Sequence, residues 1–219
     1  TGHDDGANAA ACVPGPCGNQ LMSNLDKAKE QALKKMSDAK KAGGRVMSGM
    51  RTTDTMHVGN YFGALKNWIN LQNEFPGRCF FGAMNWHAMT EAYKTPEVFQ
   101  KFNRDFLITW MAFGIDPKKS VLFIQSEIPE LIELNMLFSM ITPMPWLERV
   151  TTWKDALDDM KAKDAHNLGR FGYPVLQAAD IAIFKGALVP VGQDQLPHLE
   201  LCREIIRRFN HLYKAKLPE

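Results

Sequence analysis

The stretch from Arg45 to Leu65 limits the possible folds more than any other, because its pattern predicts a strand, a polar loop and a helix in immediate succession. The strand is predicted at residues 45–50, the loop at residues 51–55, and the helix from about Met56. Apolar residues recur at helical spacing on one side of that helix, at Val58, Tyr61, Phe62, Leu65, Trp68 and Ile69. Such a helix directs its free N–H groups and positive dipole end beyond the strand, which predicts a phosphate site.

Apolar segments alternate with helical patterns along the rest of the chain. Three short apolar segments are predicted strands buried on both faces, at residues 79–84, 120–125 and 188–191. Helices are predicted from Pro96, over residues 130–141, from Tyr173, and over residues 196–213. This alternating order predicts an α/β domain over residues 45–219, with a parallel sheet that carries helices on both faces.

The first 44 residues differ in composition from the rest. Residues 1–20 are rich in Gly, Ala and Pro and predict a disordered tail. Residues 21–44 predict an amphipathic helix with a basic face, which is a solvated surface helix or a contact for RNA or a partner. Cys79 and Cys202 lie in apolar contexts and are predicted to be reduced core residues.

Charge and hydropathy exclude several classes of protein. Lys and Arg total 26 against 24 Asp and Glu, so the net charge of +2 gives no overall reason to expect nucleic-acid binding. No apolar segment reaches the roughly 18 residues that cross a membrane. No secretory signal and no zinc-ligand spacing is seen. These features predict a cytoplasmic protein with no membrane partner and no protein metal site.

Three polar clusters lie where predicted strands end, at residues 51–60, 85–87 and 192–195. Because ligands of parallel sheets bind beyond the carboxyl ends of the strands, we expect the clusters to meet around a nucleotide. In the first cluster His57 and Asn60 can donate hydrogen bonds to phosphate or ribose oxygens, and Gly59 permits close approach to the helix.

Single residues in and near these clusters have alternative roles. Asp180 lies in an apolar helix and needs a hydrogen-bond donor. The alternatives are a protein cation, a ligand N–H, a neighbouring backbone group and Lys185. Asp194 either caps the helix that follows or accepts from ribose hydroxyls, with Gln195 holding a small polar group. His87 is either structural or a ligand-binding residue.

The clusters resemble the signature segments of class I aminoacyl-tRNA synthetases, and among these the bacterial-type tryptophanyl-tRNA synthetases. Residues 55–61 resemble the family's HIGH motif, and residues 85–90 resemble its Ala-Asp-x-His-Ala-Leu-Thr segment. Further segments follow in family order, at residues 114–117, 123–126, 142–149, 173–180, 189–195 and 198–201. The resemblance runs from about Val46 to Asn210 and implies a Rossmann-like catalytic domain.

The resemblance implies activation of tryptophan by ATP to tryptophanyl-adenylate, with Mg²⁺ at the pyrophosphate, and transfer to tRNA(Trp) by a homodimer. His57, Gly59 and Asn60 would be catalytic. ATP would be bound by Arg51, Thr52, Thr53, Gly59, Asn60, Gly192, Gln193 and Asp194. Tryptophan would be bound by Asp180 at its indole N–H, by Met47 against the ring, and by His87, Tyr173, Gln177 and Gln195.

The sequence departs from the family pattern in three places. Residues 51–54 are Arg-Thr-Thr-Asp where the family has Gln-Pro-Thr/Ser-Gly, and Asn85 stands where the family has Asp. No Lys-Met-Ser-Lys-Ser loop and no anticodon-binding domain precedes Glu219, so we expect the C-terminal part of the catalytic domain to be missing. The missing loop and the altered residues favour one alternative, a non-catalytic synthetase-like binding module. A second alternative is the tyrosine-specific sister enzyme, because Tyr173, Gln177 and Asp180 would also suit a phenol pocket, but the segment at residues 189–195 argues against it.

Overall fold

A computed structural model describes residues 30–95, 97–150, 153 and 167–218. The predicted tail at residues 1–20 lies outside these residues, as does the first part of the predicted helix at 21–44. The chain divides into two compact units, Thr1–Ala42 and Gly43–Glu219. In the first unit residues 30–41 form a largely exposed helix, α1.

The second unit contains a four-stranded parallel sheet. Its strands are β1 (Arg45–Met50), β2 (Cys79–Ala83), β3 (Ser120–Ile124) and β4 (Gly186–Leu188). The strand order is β3-β2-β1-β4, so the chain builds outward from β1 and then returns to place β4 on the other side of β1. The direction of building reverses between β1 and β4, and ligands of such sheets bind beyond the strand ends at that point.

Helices connect the strands. Helix α2 runs without a break through α-helical Val58–Asn60, π-helical Tyr61–Leu65 and α-helical Lys66–Glu74. The other helices of this unit are α3 (Asn85–Ala92), α4 (Glu97–Ala112), α5 (Pro129–Ile141), α6 (Met144–Glu148), α7 (Leu168–Phe171), α8 (Tyr173–Ile183) and α9 (Leu196–Tyr213). Short 3₁₀ turns precede α5 and α9, at Gln125–Glu127 and Gln193–Gln195.

Helices cover both faces of the sheet, as predicted. On one face Phe81 of β2 stacks on Trp68 of α2, with ring centroids 4.6 Å apart, and Trp68 meets Trp110 of α4 edge-on at 5.1 Å. On the other face Phe80 and Phe123 pack against a core that α5, α8 and α9 share. Because successive side chains of a strand point to opposite faces, Phe80 and Phe81 divide these two cores between them.

The predicted apolar side of α2 is wrong at its start. Val58 and Phe62 are 71% and 65% exposed, whereas Leu65 and Trp68 are buried. The helix also begins at Val58 rather than near Met56. The π-helical segment explains the difference, because its wider turn shifts the residues before it away from the face that the residues after it present to the sheet.

The last strand also differs from its prediction at residues 188–191. β4 covers Gly186–Leu188, and the chain leaves the sheet before Pro190. Proline has no N–H to donate to a strand ladder, so the apolar segment could not continue as a paired strand there. The segment that leaves the sheet instead becomes available to line a pocket beside β1.

The two described cysteines are buried and reduced, as predicted. Burial raises the pKa of the Cys79 thiol to about 11 and that of Cys202 to about 12, with nearby arginines opposing the shift. Both therefore remain neutral thiols at physiological pH. In the described part of the chain, no helix has the length and apolar character needed to span a membrane.

Candidate active site

A pocket of about 430 Å³ lies between the end of β1 and the segment that follows β4. Each of the three polar clusters contributes to its wall. The predicted site residues that line it are Met47, Arg51, His87, Tyr173, Gln177, Asp180, Gly192 and Gln195. The convergence expected from the strand order is therefore present, and it brings the predicted tryptophan-binding set into one cavity.

Asp180 is the buried charge of this pocket, with 2% of its surface exposed. Its Oδ2 pairs with His87 Nε2 at 2.8 Å, and Gln125 Nε2 donates to Oδ1 at 2.8 Å and to Oδ2 at 3.0 Å. The donors are thus His87 and Gln125, and the alternative that named Lys185 or the neighbouring backbone is wrong. Oδ1 accepts only one hydrogen bond from the described residues, so it keeps capacity for another.

Gln125 was not among the predicted site residues. It is fully buried at the end of β3, and its Oε1 accepts from the backbone N–H groups of Trp86, at 2.9 Å, and His87, at 3.3 Å. Its amide thereby joins the first turn of α3 to Asp180. Its position gave a signal, because Gln125 is a polar residue at the end of an apolar strand and lies within the family-like segment 123–126.

His87 has one ring nitrogen in use and one without a partner. Nε2 faces Asp180, whereas Nδ1 is buried and has no hydrogen-bond partner in the described structure. The centroid of the ring lies 4.2 Å from that of Tyr173. A buried ring nitrogen of this kind marks a position where a polar group of a ligand would gain a hydrogen bond.

Tyr173 faces the same cavity as a neutral phenol. Burial is the main cause that raises its pKa above the ordinary value, and Asp180, Glu91 and Asp194 raise it further, whereas Arg51 lowers it. The hydroxyl therefore keeps its proton at physiological pH and remains able to donate.

The loop after β1 is held by contacts between its side chains and those of α3 and α4. Arg51 forms a 2.9 Å ion pair with Glu91 of α3, and Thr52 is fully buried and donates to Oδ1 of Asn103 at 2.9 Å. Thr53 is exposed. Of these three predicted ATP-binding residues, only Arg51 lines the pocket.

His57 and Asn60 form a capping box at the start of α2. Nδ1 of His57 accepts from the N–H of Gly59 at 3.1 Å, and Oδ1 of Asn60 accepts from the N–H of His57 at 3.0 Å. A Cβ on Gly59 would lie 2.9 Å from the His57 ring, so the glycine makes room for this cap. None of the three lines the pocket wall.

The segment that opens α9 is shaped by Asp194. Its Oδ2 accepts from Gln195 Nε2 at 2.7 Å, and the helix begins with Gln195 as N-cap and no side-chain cap. The alternative in which Asp194 caps the helix is therefore wrong. A Cβ on Gly192 would collide with the Asp194 carboxylate. Gly192 and Gln195 line the pocket, whereas Gln193 and Asp194 do not.

His198 is the second residue that sequence reasoning missed. It is buried on the first turn of α9, and its Nδ1 lies 3.1 Å from Oε1 of Gln177 and 2.9 Å from Oε1 of Gln195. The available signal was its position at the start of the family-like segment 198–201. Its contacts connect two pocket residues that come from different helices.

A parallel sheet whose strand order reverses beside β1, with a pocket at that point, defines a Rossmann-like ligand-binding domain. The sequence also matches the family described as tRNA synthetases class I (W and Y) over residues 39–219. The chain belongs to this family.

Curated relatives with this similarity are tryptophan–tRNA ligases. The chain is 53% identical over 169 residues to the tryptophan–tRNA ligase of Ralstonia nicotianae. The aligned region covers 77% of this chain and 42% of the relative. It is 48% identical over 175 residues to the tryptophan–tRNA ligase of Thermotoga maritima. That aligned region covers 80% of this chain and 53% of the relative. The chain thus spans about half the length of these relatives.

Solved structures show the same similarity. The tryptophanyl-tRNA synthetase of Campylobacter jejuni, solved in complex with ADP and tryptophan, matches with a TM-score of 0.72 and 37% identity. The match covers 80% of this chain and 54% of that one. A tyrosyl-tRNA synthetase of Archaeoglobus fulgidus matches with a TM-score of 0.67 at 19% identity, which shows a shared fold alone.

We predict that Thr52→Val destabilises the protein by about 1–3 kcal/mol, because it leaves the buried Asn103 oxygen without a donor. Urea unfolding followed by circular dichroism measures the change. The double variant Thr52→Val/Asn103→Leu is the control, since removing both polar partners should recover part of the loss. A single variant as stable as the wild type would show that this hydrogen bond does not hold the loop.

Proposed function

We propose that this chain is the tryptophan-activating part of a tryptophan–tRNA ligase. It would form tryptophanyl-adenylate from tryptophan and ATP, and the protein would transfer the amino acid to tRNA(Trp). The observation that carries the proposal is the buried Asp180 carboxylate in the pocket, held by His87 and Gln125 and still able to accept at Oδ1. The tryptophan ligases among its relatives support the same reaction.

Asp180 would recognise the indole N–H. A buried carboxylate placed to accept from a ligand N–H rejects ligands that lack this donor, because the acceptor would then stay unpaired. Met47 is buried and lines the same pocket, so it would pack on the indole ring. His87, Tyr173, Gln177 and Gln195 would then surround the ammonium and carboxylate groups.

ATP would bind at the start of α2 and beside Gly192, with Gln193 and Asp194 at its ribose. The capping box suits His57 and Asn60 to this role. Because Nδ1 of His57 and Oδ1 of Asn60 both accept within the cap, the ring proton of neutral His57 lies on Nε2, and the amide of Asn60 keeps its N–H groups. Both side chains can therefore donate to phosphate oxygens, together with Arg51 and Thr53, whereas the Thr52 hydroxyl and the Gly59 N–H are already used within the protein.

The chemistry needs position and charge more than a protein acid or base. The carboxylate of tryptophan attacks the α-phosphorus of ATP in line, and pyrophosphate leaves. The described residues contain no cluster of three metal-binding side chains. Mg²⁺ usually binds in nucleotide sites through phosphates and water, so this donor set fits an ion held mainly by ATP, where it neutralises the pyrophosphate.

We also propose that the protein acts as a cytoplasmic homodimer. Helix α5 buries Leu131 and Phe138 in the core and exposes a second apolar stripe at four-residue spacing, formed by Ile132, Met136 and Met140. An apolar stripe of this kind marks an interaction surface. A second copy of the chain is the occupant that the proposal commits to.

The alternatives make different predictions for ligands. We expect tryptophan to raise the melting temperature of the chain, because the ligand binds only the folded state, and tyrosine at the same concentration to have less effect. Within a protein of its relatives' full length, we expect tryptophan-dependent exchange of pyrophosphate into ATP. A larger effect of tyrosine would favour the sister enzyme, and binding without exchange would favour a non-catalytic module.

We predict that Asp180→Asn weakens tryptophan binding tenfold or more and ATP binding far less. The substitution removes a charged acceptor, whose hydrogen bonds contribute about 1.5–3 kcal/mol each. Isothermal titration of each ligand measures the effect, and the ATP titration serves as the internal control for folding. An equal loss for both ligands would contradict the assigned role of Asp180.

We predict that Met140→Asp converts a dimer into a monomer, because it places a charge in the proposed apolar interface. Sedimentation velocity at several protein concentrations measures the change. Met111→Asp is the matched control, since Met111 is an exposed methionine on α4. A wild-type protein that sediments as a monomer at every concentration, also at its relatives' full length, would refute the dimer.

A further inference from the structure

Met84 lies at the junction of β2 and α3, between Ala83 and Asn85. Its backbone N–H donates to the carbonyl of Met50 at 2.9 Å, which fixes this junction to the end of β1. Its side chain is 5% exposed and lines the pocket together with Met47. Met84 is therefore part of the pocket wall, although it belongs to none of the three polar clusters.

Two glycines leave the space that the Met84 side chain occupies. Gly49 of β1 and Gly82 of β2 are partners in the register of the parallel pair. A Cβ on either glycine would collide with Cε of Met84, and a Cβ on Gly49 would also lie 2.6 Å from Cγ. The thioether chain thus lies directly on the strand backbone, in a slot that the paired glycines form.

The slot over Gly49 and Gly82 lies on the face of the sheet that carries the pocket. Side chains two residues apart on a strand share a face, so Gly49 shares the face of Met47, which lines the pocket. The three atoms nearest to a Cβ on Gly49 all belong to Met84. A shorter side chain at position 84 would therefore uncover the backbone of Gly49 and deepen the pocket.

Methionine suits this position because of its shape. It is unbranched and has three rotatable side-chain bonds, so it fills narrow gaps between other groups. At Gly82 the ring of Phe123 is the other close group, and it bounds the slot at that end. Phe123, Met84 and Met47 belong to one buried cluster, which joins this part of the pocket wall to the core.

We infer that Met84 is a specificity-determining residue, because its side chain sets the depth of the pocket and thereby the size of the ring that fits. The inference rests on the proposed function, in which that ring is the indole of tryptophan. Asp180 fixes the position of the indole N–H, so a group added to the benzene ring of the indole must find room along the wall. Met84 occupies the slot that would supply this room, and the pocket therefore prefers the unsubstituted ring.

Four variants test whether Met84 limits the ring. Met84→Ala uncovers the slot, and Met84→Val is the milder truncation if the alanine variant does not fold. Met84→Leu keeps the volume of the side chain almost unchanged and is the control for replacement as such. Gly49→Ala in the Met84→Ala background puts a methyl group back into the slot, where Met84 no longer collides with it. Thermal unfolding establishes that each variant is folded.

Brominated tryptophans measure the room in the pocket, because a bromine atom is about as large as a methyl group. Four isomers carry the bromine at each of the four C–H positions of the benzene ring. Isothermal titration gives the Kd of each isomer relative to that of tryptophan. For at least one isomer we expect this ratio to fall about tenfold or more in Met84→Ala, since a group the size of one methylene changes affinity roughly 10–200-fold in an apolar pocket. We expect Met84→Leu to stay within about threefold of the wild-type ratio, and Met84→Ala/Gly49→Ala to reverse most of the change.

Other outcomes overturn the inference. Ratios that stay at the wild-type value in both truncated variants would refute the role of Met84 and leave the proposed function intact. A gain that persists in Met84→Ala/Gly49→Ala would place the added group outside the slot. A wild type that binds all four isomers as tightly as tryptophan would show that Met84 does not limit the ring. Failure of the wild type to bind tryptophan itself would instead refute the proposed function, and this inference with it.

Discussion

The carboxylate of Asp180 is the constraint on which the pocket depends. A charge on an apolar helix is costly to bury unless it is hydrogen-bonded, so α8 can pack against α5 and α9 only if donors reach Asp180. His87 and Gln125 supply them from α3 and from the end of β3. Gln125 in turn accepts from two backbone N–H groups of α3. One buried charge thereby fixes three elements of the fold and the floor of the site.

This network gives the pocket a fixed acceptor. Asp180 presents its buried carboxylate there, and Met47 and Ile181 give part of the lining an apolar surface. A ligand with an N–H donor and an apolar body is complementary to that lining. Complementarity of this kind comes from hydrogen bonds made inside the protein before a ligand arrives, which reduces the cost of ordering the site on binding.

The strands and polar clusters that form this site could be predicted from the sequence, whereas the contacts between their side chains could not. The strands are short, apolar and followed by polar residues, so their ends and the meeting of the three clusters could be predicted. The partners of Asp180 could not be predicted by spacing, because His87 and Gln125 are 93 and 55 residues away in the sequence. Resemblance to a family placed His87 and Asp180 in one pocket, but the pairing between them depends on side-chain geometry. The π-helical turn of α2 was missed because a period of 3.6 residues was assumed throughout.

The departures from the family pattern in the loop after β1 have a physical account in the structure. Where the family has proline, a residue that fixes its own backbone angle, this chain has Thr52, whose buried hydroxyl bonds to Asn103 of α4. Where the family has glycine, this chain has Asp54, whose carboxylate accepts from the N–H of Thr55 at 2.7 Å. That bond turns the negative charge toward the loop's own backbone. Side-chain hydrogen bonds of Thr52 and Asp54 thus hold this loop, and Arg51 at its start lines the pocket.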